Sequence, residues 1–308
     1  MRIDILLATY NGARYLPMQL DSLLAQSHQN WRVIARDDGS TDTSVEVLGR
    51  YALAYPDRFT LLKDGQKLGA KHSFAELMRH AEAPYVAFCD QDDFWLPQKL
   101  TVLLALIQTA ERDLGEGVPV LAHSDLELVN QEMESIAPSF WGYQGINPSR
   151  NHLCHLLVEN TVTGCATLMN RALLQKALPL PEAAYMHDYW LGLLAATIGR
   201  IVFTREALVR YRQHSSNTLG AVKIRGLFSL PGGTLNPVKW KISYQVACDQ
   251  ARALVSALSG VSDPLKLAPA MRFAGLYQHG WLGRRWVLLM NASLPSRWRR
   301  RISVLARI

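Results

Sequence analysis

The fold is decided by Tyr85-Val86-Ala87-Phe88-Cys89-Asp90-Gln91-Asp92-Asp93-Phe94-Trp95-Leu96-Pro97. Its first five residues are apolar, and their aromatic and branched side chains predict a buried strand. Three carboxylates follow within four positions, where this strand must end. Pro97 then predicts the start of a helix whose apolar part runs from Leu100 to Ile107. Together these features predict a strand, an acidic turn and a helix in sequence.

The acidic turn has two interpretations. Asp90 and Asp92 lie one residue apart in an extended segment, so their side chains point to the same side. They could therefore hold one hard cation such as Mg²⁺ or Mn²⁺, which prefers oxygen ligands. Alternatively, the turn is solvated and Asp93 caps the next helix, since Asp is common in turns and at helix N-termini. The turn alone does not decide between them.

Strands and helices alternate up to about residue 125. Predicted strands cover 3–8, 31–35, 59–62, 85–89 and 118–123, with helices after the first four. This alternation predicts a parallel α/β sheet, in which ligands bind beyond the carboxyl ends of the strands. Three polar clusters follow strands at that edge: Thr9 with Asn11, Asp37 with Asp38, and Asp90 with Asp92. We therefore expect a binding site there.

The alternation weakens after Asp125. Residues 130–150 are predicted to form an irregular, aromatic-rich loop, and a turn from Asn160 leads into a strand ending at Met169. A helix is predicted for Tyr189 to Thr197. Two short strands, Ile201 to Phe203 and Ala207 to Tyr211, are predicted to follow it.

The composition of the 308 residues, 49% hydrophobic and 19% charged, is that of a soluble globular protein. Apolar runs stay shorter than the roughly 18 residues of a membrane span. Asp4 interrupts the first apolar segment, so we expect a strand there and no signal peptide. The four cysteines are not closely paired, which favours reduced thiols in a cytoplasmic protein.

The net charge of +7 is unevenly distributed. Residues 221–308 contain 14 Lys and Arg against two acids, whereas residues 1–220 contain 19 bases and 24 acids. We therefore predict an α/β domain over 1–220 and a basic, helical region over 221–308. In that region Leu282, Trp286, Leu289 and Met290 recur at near-helical spacing beside arginines, with more arginines from Arg297 to Arg301.

This basic region has three interpretations. A basic amphipathic helix with Trp is typical of a helix lying on an anionic membrane surface. It could also be a helical subdomain that packs on the α/β domain and turns its arginines to water. Nucleic-acid binding is the third and least supported interpretation, so we expect no nucleic-acid partner.

In their order along residues 1–220, the motifs resemble those of the family 2 glycosyltransferases. These are inverting enzymes of the GT-A fold that use nucleotide-diphospho-sugars. The matching stretches are Ala8-Thr9-Tyr10-Asn11-Gly12, Asp37-Asp38-Gly39-Ser40-Thr41-Asp42, Asp90-Gln91-Asp92-Asp93, Thr163-Gly164-Cys165, His187-Asp188-Tyr189-Trp190, and Tyr211-Arg212-Gln213-His214 with Asn217. The Asp-Gln-Asp-Asp-Phe-Trp, His-Asp-Tyr-Trp and His-Ser-Ser-Asn-Thr variants look most like the rhamnosyltransferase branch, which builds bacterial surface polysaccharides.

The resemblance implies a role for each matching residue. It implies that Asp92 is a ligand of Mg²⁺ or Mn²⁺, that His214 lies near the diphosphate or metal, and that Asp188 is the base activating the acceptor hydroxyl. Asp188 could instead only cap the Tyr189 helix, and His214 could be a surface residue. The implied nucleotide-binding residues are Thr9, Asn11, Asp37, Asp38, Asp90 and Gln91, with Asp38 or Asp37 accepting from the pyrimidine N–H.

The sequence thus predicts an inverting, metal-dependent glycosyltransferase. The donor that the resemblance favours is dTDP-rhamnose, with a UDP-hexose as the alternative. The implied acceptor is a polysaccharide or lipid-linked oligosaccharide, handled at the cytoplasmic face of the inner membrane. A catalytically silent sugar-binding module and a nucleotidyltransferase are the alternatives from other classes.

Overall fold

The computed structural model describes residues 1–115, 117–214, 237–260, 263–291, 293–294, 301 and 304–305; for 237–243 it describes the backbone alone. The strands are β1 (Ile3–Thr9), β2 (Trp31–Asp37), β3 (Phe59–Leu62), β4 (Tyr85–Asp90), β5 (Phe94–Trp95), β6 (Val120–Val129), β7 (Ser135–Ala137), β8 (Thr167–Asn170) and β9 (Arg200–Arg212). The helices are α1 (Leu16–Leu24), α2 (Ser44–Ala54), α3 (Gly69–His80), α4 (Lys99–Leu114), α5 (Phe140–Gln144), α6 (Leu153–Leu156), α7 (Arg171–Ala177), α8 (His187–Ile198), α9 (Pro237–Leu258), α10 (Pro264–Ala274) and α11 (Trp281–Met290).

The strands form one sheet in the order β3-β2-β1-β4-β8-β6-β9-β5, and β7 pairs with β6. Strands β3, β2, β1 and β4 are parallel, as predicted for the first part of the chain. Beyond β4 the sheet is mixed, since β8 runs antiparallel to both of its neighbours and β6 is parallel to β9. The predicted α/β fold with flanking helices is confirmed.

The sheet is buried on both faces because alternate residues of each strand point to opposite sides. In β1, Ile5 and Leu7 belong to the core under α1, α2 and α4, whereas Leu6 packs with α3, α7 and α8. All three side chains are fully buried. This explains why the central strands consist almost entirely of apolar residues.

The pairing of β1 with its neighbours brings the predicted polar clusters to one edge. Thr9 is opposite Asp37 in β2, and Ala8 is opposite Asp90 in β4. The carboxyl ends of three strands therefore meet in register, where helix starts and loops leave room for a ligand.

Several elements differ from the sequence prediction. β9 is one strand instead of two; its pairing with β6 shifts register between Ser124 and Leu126. The loop predicted over 130–150 contains β7 and α5, and α4 begins at Lys99, two residues after Pro97. The two-residue strand β5 was not predicted, because its pairing with β9 joins residues more than 110 positions apart.

The helices after residue 236 pack on the sheet side that carries α8. Tyr244, Cys248, Leu254 and Phe273 are buried in the same cluster as Leu6 and Trp190. The predicted domain boundary near residue 220 lies outside the described residues and stays a prediction. Within the part of the chain that the structure describes, every helix is too short or too polar to cross a membrane.

Candidate active site

Two loops at the sheet edge are joined through Asp37 and Asn11. Asp37 accepts hydrogen bonds from Thr9 Oγ1 at 2.9 Å, from Ser40 Oγ at 2.5 Å, and from the N–H groups of Gly39 and Ser40. Asn11 has a φ of +48°, a left-handed conformation that Asn tolerates better than most residues. Its Oδ1 accepts from the Thr41 N–H at 2.8 Å. The loops that follow β1 and β2 therefore form one interlocked unit.

Asp38 is held by groups from strand β2 and from the start of helix α3. Its Oδ1 accepts from Arg36 Nη1 at 2.8 Å, Ser73 Oγ at 3.0 Å and the Leu68 N–H at 2.6 Å, and its Oδ2 accepts from the Gly69 N–H at 2.8 Å. Burial by itself raises the pKa of Asp38, but these hydrogen bonds prevail and lower it. Asp38 is thus a fixed carboxylate that ties β2 to the start of α3.

Gln91 lies between the ends of β4 and β1. Its Oε1 accepts from the Tyr10 N–H at 2.7 Å, and its Nε2 donates to the Tyr10 carbonyl at 3.0 Å. Gly12 leaves the space that this amide occupies, since a Cβ at position 12 would lie 2.3 Å from Gln91 Oε1. Gln91 therefore positions the loop after β1 through its side chain.

Asp90, Asp93 and Cys165 offer ligand atoms that all lie within 4.8 Å of one another. Burial, together with the nearby charges of Asp92 and Asp188, raises the pKa of Asp90 to about 7. Burial, together with the charges of Asp92 and Asp90, also raises the pKa of Asp93, whose Oδ2 is buried with no hydrogen-bond partner in the described structure. Because these carboxylates repel one another, a cation bound among them would be stabilised.

Asp92 is paired with His214, as the resemblance implies for a metal site. Asp92 Oδ2 and His214 Nε2 are 2.7 Å apart, and both side chains are largely buried. The His214 ring is stacked on Tyr15 with 4.9 Å between the ring centroids. His214 is therefore not a surface residue. Asn217, the last residue of the matching motif, lies outside the described residues.

Arg212 connects this pair to the acidic turn. Its Nε donates to the Asp92 carbonyl at 2.9 Å and its backbone N–H donates to Asp93 Oδ1 at 3.3 Å. The guanidinium also lies 4.7 Å from the centroid of the Tyr15 ring. Arg212 thereby fixes the backbone of the turn against the end of β9, the strand that leads to His214.

A buried lysine lies beneath the acidic cluster. Lys99 Nζ is 3.0 Å from the centroid of the Trp95 ring and donates to the Cys165 carbonyl at 2.5 Å. Burial lowers the pKa of Lys99 to about 7 despite the nearby carboxylates of Asp93 and Asp90. The hydrogen bond to Cys165 fixes the 3₁₀ turn Gly164–Ala166, which contacts the candidate base.

Asp188 is the second residue of α8 and lies two positions beyond the N-cap, which is Met186, so the alternative that Asp188 is the N-cap is wrong. Its Oδ2 accepts from the Gly164 N–H at 3.0 Å and its Oδ1 accepts from the Tyr189 N–H at 2.7 Å. Burial raises the pKa of Asp188 to about 6, although both hydrogen bonds favour the charged form. A carboxylate with such a pKa is ionised at neutral pH and can still accept a proton.

The comparison with protein families agrees with this geometry. The family described as glycosyl transferase family 2 matches residues 4–177, which is more than half of the chain. The chain is a family 2 glycosyltransferase.

The relatives of this glycosyltransferase support the same assignment. It is 28% identical over 224 residues to an uncharacterized glycosyltransferase from Nostoc, a match that covers 70% of this chain and 66% of the relative. It is 25% identical over 193 residues to WfgD of Escherichia coli, covering 62% and 68% of the two chains. WfgD is described as a UDP-Glc:α-D-GlcNAc-diphosphoundecaprenol β-1,3-glucosyltransferase. The chain thus spans just under two thirds of its Nostoc relative's length.

A solved structure shows the same fold. The mannosyltransferase PcManGT from Pyrobaculum calidifontis, solved with GDP-Man and Mn²⁺, has a TM-score of 0.58 and 18% identity. The match covers 94% of this chain and 73% of the other. The similarity confirms the predicted GT-A fold.

The site of the glycosyltransferase fits a hard divalent cation. Carboxylate oxygens predominate among the possible ligands, and Asp93 Oδ2 is a buried acceptor with no hydrogen-bond partner in the described structure. Asp92 Oδ2 and His214 Nε2 are 2.7 Å apart, so a cation held by both would replace the direct contact between these two atoms. Burial keeps the pKa of the Cys165 thiol high, so this soft donor is unsuited to Mg²⁺.

Three residues of this site were not singled out from the sequence: Tyr15, Lys99 and Arg212. Arg212 was part of a matching motif without a role, and Lys99 follows Pro97 closely enough to suggest contact with the turn. Tyr15 carried no signal, because an aromatic residue before an apolar helix is usually part of a core.

Proposed function

We propose that this chain is an inverting, metal-dependent glycosyltransferase that moves a sugar from a nucleotide-diphospho-sugar onto an acceptor hydroxyl. The observation that carries this proposal is the position of Asp188. Its carboxylate is fixed by the Gly164 N–H and lies close enough to Asp90 for its charge to raise the Asp90 pKa. A base beside a carboxylate cluster at the carboxyl ends of the strands is the arrangement that this reaction requires.

Asp188 takes the proton of the acceptor hydroxyl while the oxygen attacks the anomeric carbon from the face opposite the leaving group. A carboxylate with a pKa of about 6 is mostly ionised at pH 7 and remains basic enough to accept this proton. The hydrogen bonds from Gly164 and Tyr189 hold it in one orientation, so little reorganisation is needed during the reaction.

Asp92 and His214 would hold the divalent cation, with Asp90 beside them. The bound cation supplies Lewis-acid stabilisation of the nucleoside diphosphate as it leaves. The Mn²⁺ in the structure of PcManGT supports this assignment by similarity of fold. Tyr15 and Arg212 orient His214 and the acidic turn around this position.

The nucleotide would lie along Thr9, Asn11, Asp37, Asp38, Asp90 and Gln91. Asp37 already accepts four hydrogen bonds, about the full capacity of a carboxylate. Oδ2 of Asp38 accepts only the Gly69 N–H among the described hydrogen bonds and keeps a lone pair. We therefore assign the pyrimidine N–H to Asp38 rather than to Asp37.

The donor that we favour is dTDP-rhamnose, because the Asp90-to-Trp95 and His187-to-Trp190 motifs are of the rhamnosyltransferase-like type. A UDP-hexose is the second candidate, favoured by the similarity to WfgD. The diphosphoundecaprenol acceptor in the description of WfgD also supports a lipid-linked acceptor here. Such an acceptor would place the enzyme at the cytoplasmic face of the inner membrane.

A donor screen tests the proposal. The purified chain is incubated with dTDP-, UDP- and GDP-sugars and a lipid-linked acceptor, and release of nucleoside diphosphate is measured with Mg²⁺ or Mn²⁺. We expect one donor to be used well and NMR of the product to show an inverted anomeric configuration. Release of inorganic diphosphate would instead identify a nucleotidyltransferase.

Matched variants distinguish catalysis from binding alone. Asp188→Asn should lose turnover but still bind the donor, whereas Asp113→Asn, at an exposed carboxylate on α4, should behave like the wild type. If the wild type binds nucleotide-sugars but transfers none with any acceptor tested, the chain is a sugar-binding module and the proposal is wrong.

A further inference from the structure

Helix α11 carries apolar side chains on two opposite sides. Val287 and Leu288 are buried against α10 and the preceding turn. On the other side five large apolar side chains are each between 52% and 72% exposed. At 100° per residue they fall within an arc of about 180°. They are Trp281, Leu282, Trp286, Leu289 and Met290, and together we call them the α11 face.

The α11 face lies in a part of the chain that has no negative side chains. From Pro264 to Ile308 the sequence contains nine Lys and Arg and no Asp or Glu. The Arg285 guanidinium lies 3.5 Å from the centroid of the Trp281 ring, within the arc of the face itself. Arg297, Arg299 and Arg300 add positive charge to the sequence but lie outside the described residues. Exposed tryptophan and leucine beside an arginine, in a segment without acidic residues, match a surface that is apolar inside and anionic at its boundary.

We propose that the α11 face docks on an anionic phospholipid surface. The rings of Trp281 and Trp286 and the side chains of Leu282, Leu289 and Met290 enter the boundary between headgroups and acyl chains. Arg285 then meets the lipid phosphates, which accept hydrogen bonds from a guanidinium. An anionic lipid surface thus interacts with both the positive charge and the exposed apolar side chains of the α11 face.

Two other partners use only one of these features. Nucleic acid pairs with arginines but leaves exposed leucine and methionine in water. A second copy would bury the apolar arc but would bring two positively charged regions together, which is unfavourable. The anionic lipid surface is therefore the partner that this face fits best.

The docking helix is firmly connected to the helix that carries the candidate base. Asn291, at the end of α11, accepts from Arg272 Nε at 2.5 Å and donates to the Pro269 carbonyl at 3.2 Å in α10. Gln250 of α9 accepts from the N–H of Tyr185, three residues before Asp188. Docking through α11 would therefore orient the candidate active site relative to the lipid surface.

Vesicle flotation with the full chain tests the proposal without donor or acceptor. Vesicles of phosphatidylcholine with about one third phosphatidylglycerol are compared with vesicles of phosphatidylcholine alone. We expect binding to the anionic vesicles that weakens as salt rises to 1 M, because the screening length shortens from about 10 Å to about 3 Å. Equal binding to both vesicles, or none to either, would overturn the proposal.

The double variant Leu282→Ser/Trp286→Ser removes two apolar groups from the α11 face. The matched control Leu53→Ser changes a leucine on α2 that is 85% exposed. The double variant removes two apolar side chains that would enter the lipid surface, so its partition coefficient between water and anionic vesicles should fall at least tenfold. The partition coefficient of the control should not change. Similar partition of both variants would contradict a role for the α11 face.

The remaining partners give different outcomes. If light scattering shows that the wild type is a dimer and that Leu282→Ser/Trp286→Ser is a monomer, that result would identify a second copy of the chain, and not a lipid surface, as the partner of the α11 face. Binding of a DNA duplex without vesicle binding would replace it by nucleic acid. Because binding is measured without any transfer reaction, its failure would leave the proposed glycosyl transfer intact, and failure of the donor screen would leave the docking result intact.

Discussion

The side-chain amide of Gln91 pairs with both polar groups of the Tyr10 backbone, at 2.7 and 3.0 Å. This pairing extends the contact between β1 and β4 beyond their last paired residues, Ala8 and Asp90. The loop after β1 therefore keeps the position that the end of β4 imposes on it. The same contact requires glycine at position 12.

We predict that Gln91→Ala raises the donor KM more than it lowers kcat, because it frees the loop after β1 and leaves Asp188 in place. Loss of two hydrogen bonds of about 1 kcal/mol each corresponds to roughly a 10- to 30-fold effect. Donor titration by calorimetry measures it, with Gln108→Ala on α4 as the control. An unchanged donor affinity would show that the pairing does not shape the site.

Gly12→Ala and Gln91→Ala should be coupled. Alone, Gly12→Ala puts a Cβ 2.3 Å from Gln91 Oε1 and should lower both stability and donor affinity. In the double variant the clash is gone, so the combined loss should be smaller than the sum of the two single losses by about 0.5–3 kcal/mol. Additive effects in a denaturation series would contradict the contact.

Asp188→Asn should lower kcat by about 10²- to 10⁴-fold with little change in donor binding, because a general base acts in the transition state. In the wild type the pKa of about 6 predicts that kcat falls as the pH drops below 6, when the base becomes protonated. The residual kcat of Asp188→Asn should not show this fall at low pH. A variant that loses donor affinity but keeps its kcat would make Asp188 a binding residue.

The same variant should gain relative stability as the pH rises. The pKa of Asp188 is raised to about 6 from an ordinary 3.8, so the folded state binds this proton more tightly than the unfolded state. Its stabilising contribution is complete below about pH 4 and is lost as the pH rises through 6. Thermal melts from pH 4 to 7 should show the Tm of Asp188→Asn rising relative to the wild type.

His214→Ala should weaken binding of Mn²⁺ in the presence of nucleotide at least 10- to 100-fold, the loss typical of changes around metal ligands. Asp92→Asn should have at least as large an effect, because it removes a negative charge from the same position. His72→Ala, at a half-exposed histidine beside Glu182, is the control. If the wild type kept full activity in excess chelator, the proposed metal dependence would be wrong.

Replacing two glycines by alanine should change the free energy of unfolding in opposite directions. A Cβ at Gly199 would lie 1.9 Å from the Pro119 carbonyl oxygen, so Gly199→Ala should lower the free energy of unfolding by about 1–3 kcal/mol or more. Gly49 lies inside α2 with nothing within 4 Å of the added Cβ, so Gly49→Ala should raise it by about 0.5–1 kcal/mol. Chemical denaturation of both variants measures the difference.

Local pattern was sufficient for the first half of the fold, because β1 to β4 are apolar runs bounded by turns and helices. It failed where pairing is distant: β5 is only Phe94 and Trp95, and it is a strand because β9 lies beside it. The short helix α5 was missed within the aromatic-rich loop predicted over 130–150 for a related reason. Trp141 is buried by contacts from other elements, with no periodicity of its own.

The candidate site was predictable to the level of motifs but not of contacts. The motif order placed Asp38, Asp90 and Asp188 at one edge of the sheet, as the structure has them. It could not indicate that Asp38 is tied to Leu68 and Gly69, since that contact depends on the loop before α3. The role of each residue toward a ligand stays a prediction until the variants are measured.

The buried acidic cluster would also make the proposed cation binding a proton-exchange reaction. Burial and the charges of Asp92 and Asp188 raise the pKa of Asp90, so this carboxyl binds a proton more tightly than an ordinary aspartate, and a divalent cation bound beside it would have to displace that proton. Affinity for the cation should therefore increase between pH 6 and 8. The apparent heat of binding should also change with the ionisation enthalpy of the buffer. Under the proposed function, acidification would therefore slow transfer in two ways, by competition at the metal position and by protonation of Asp188.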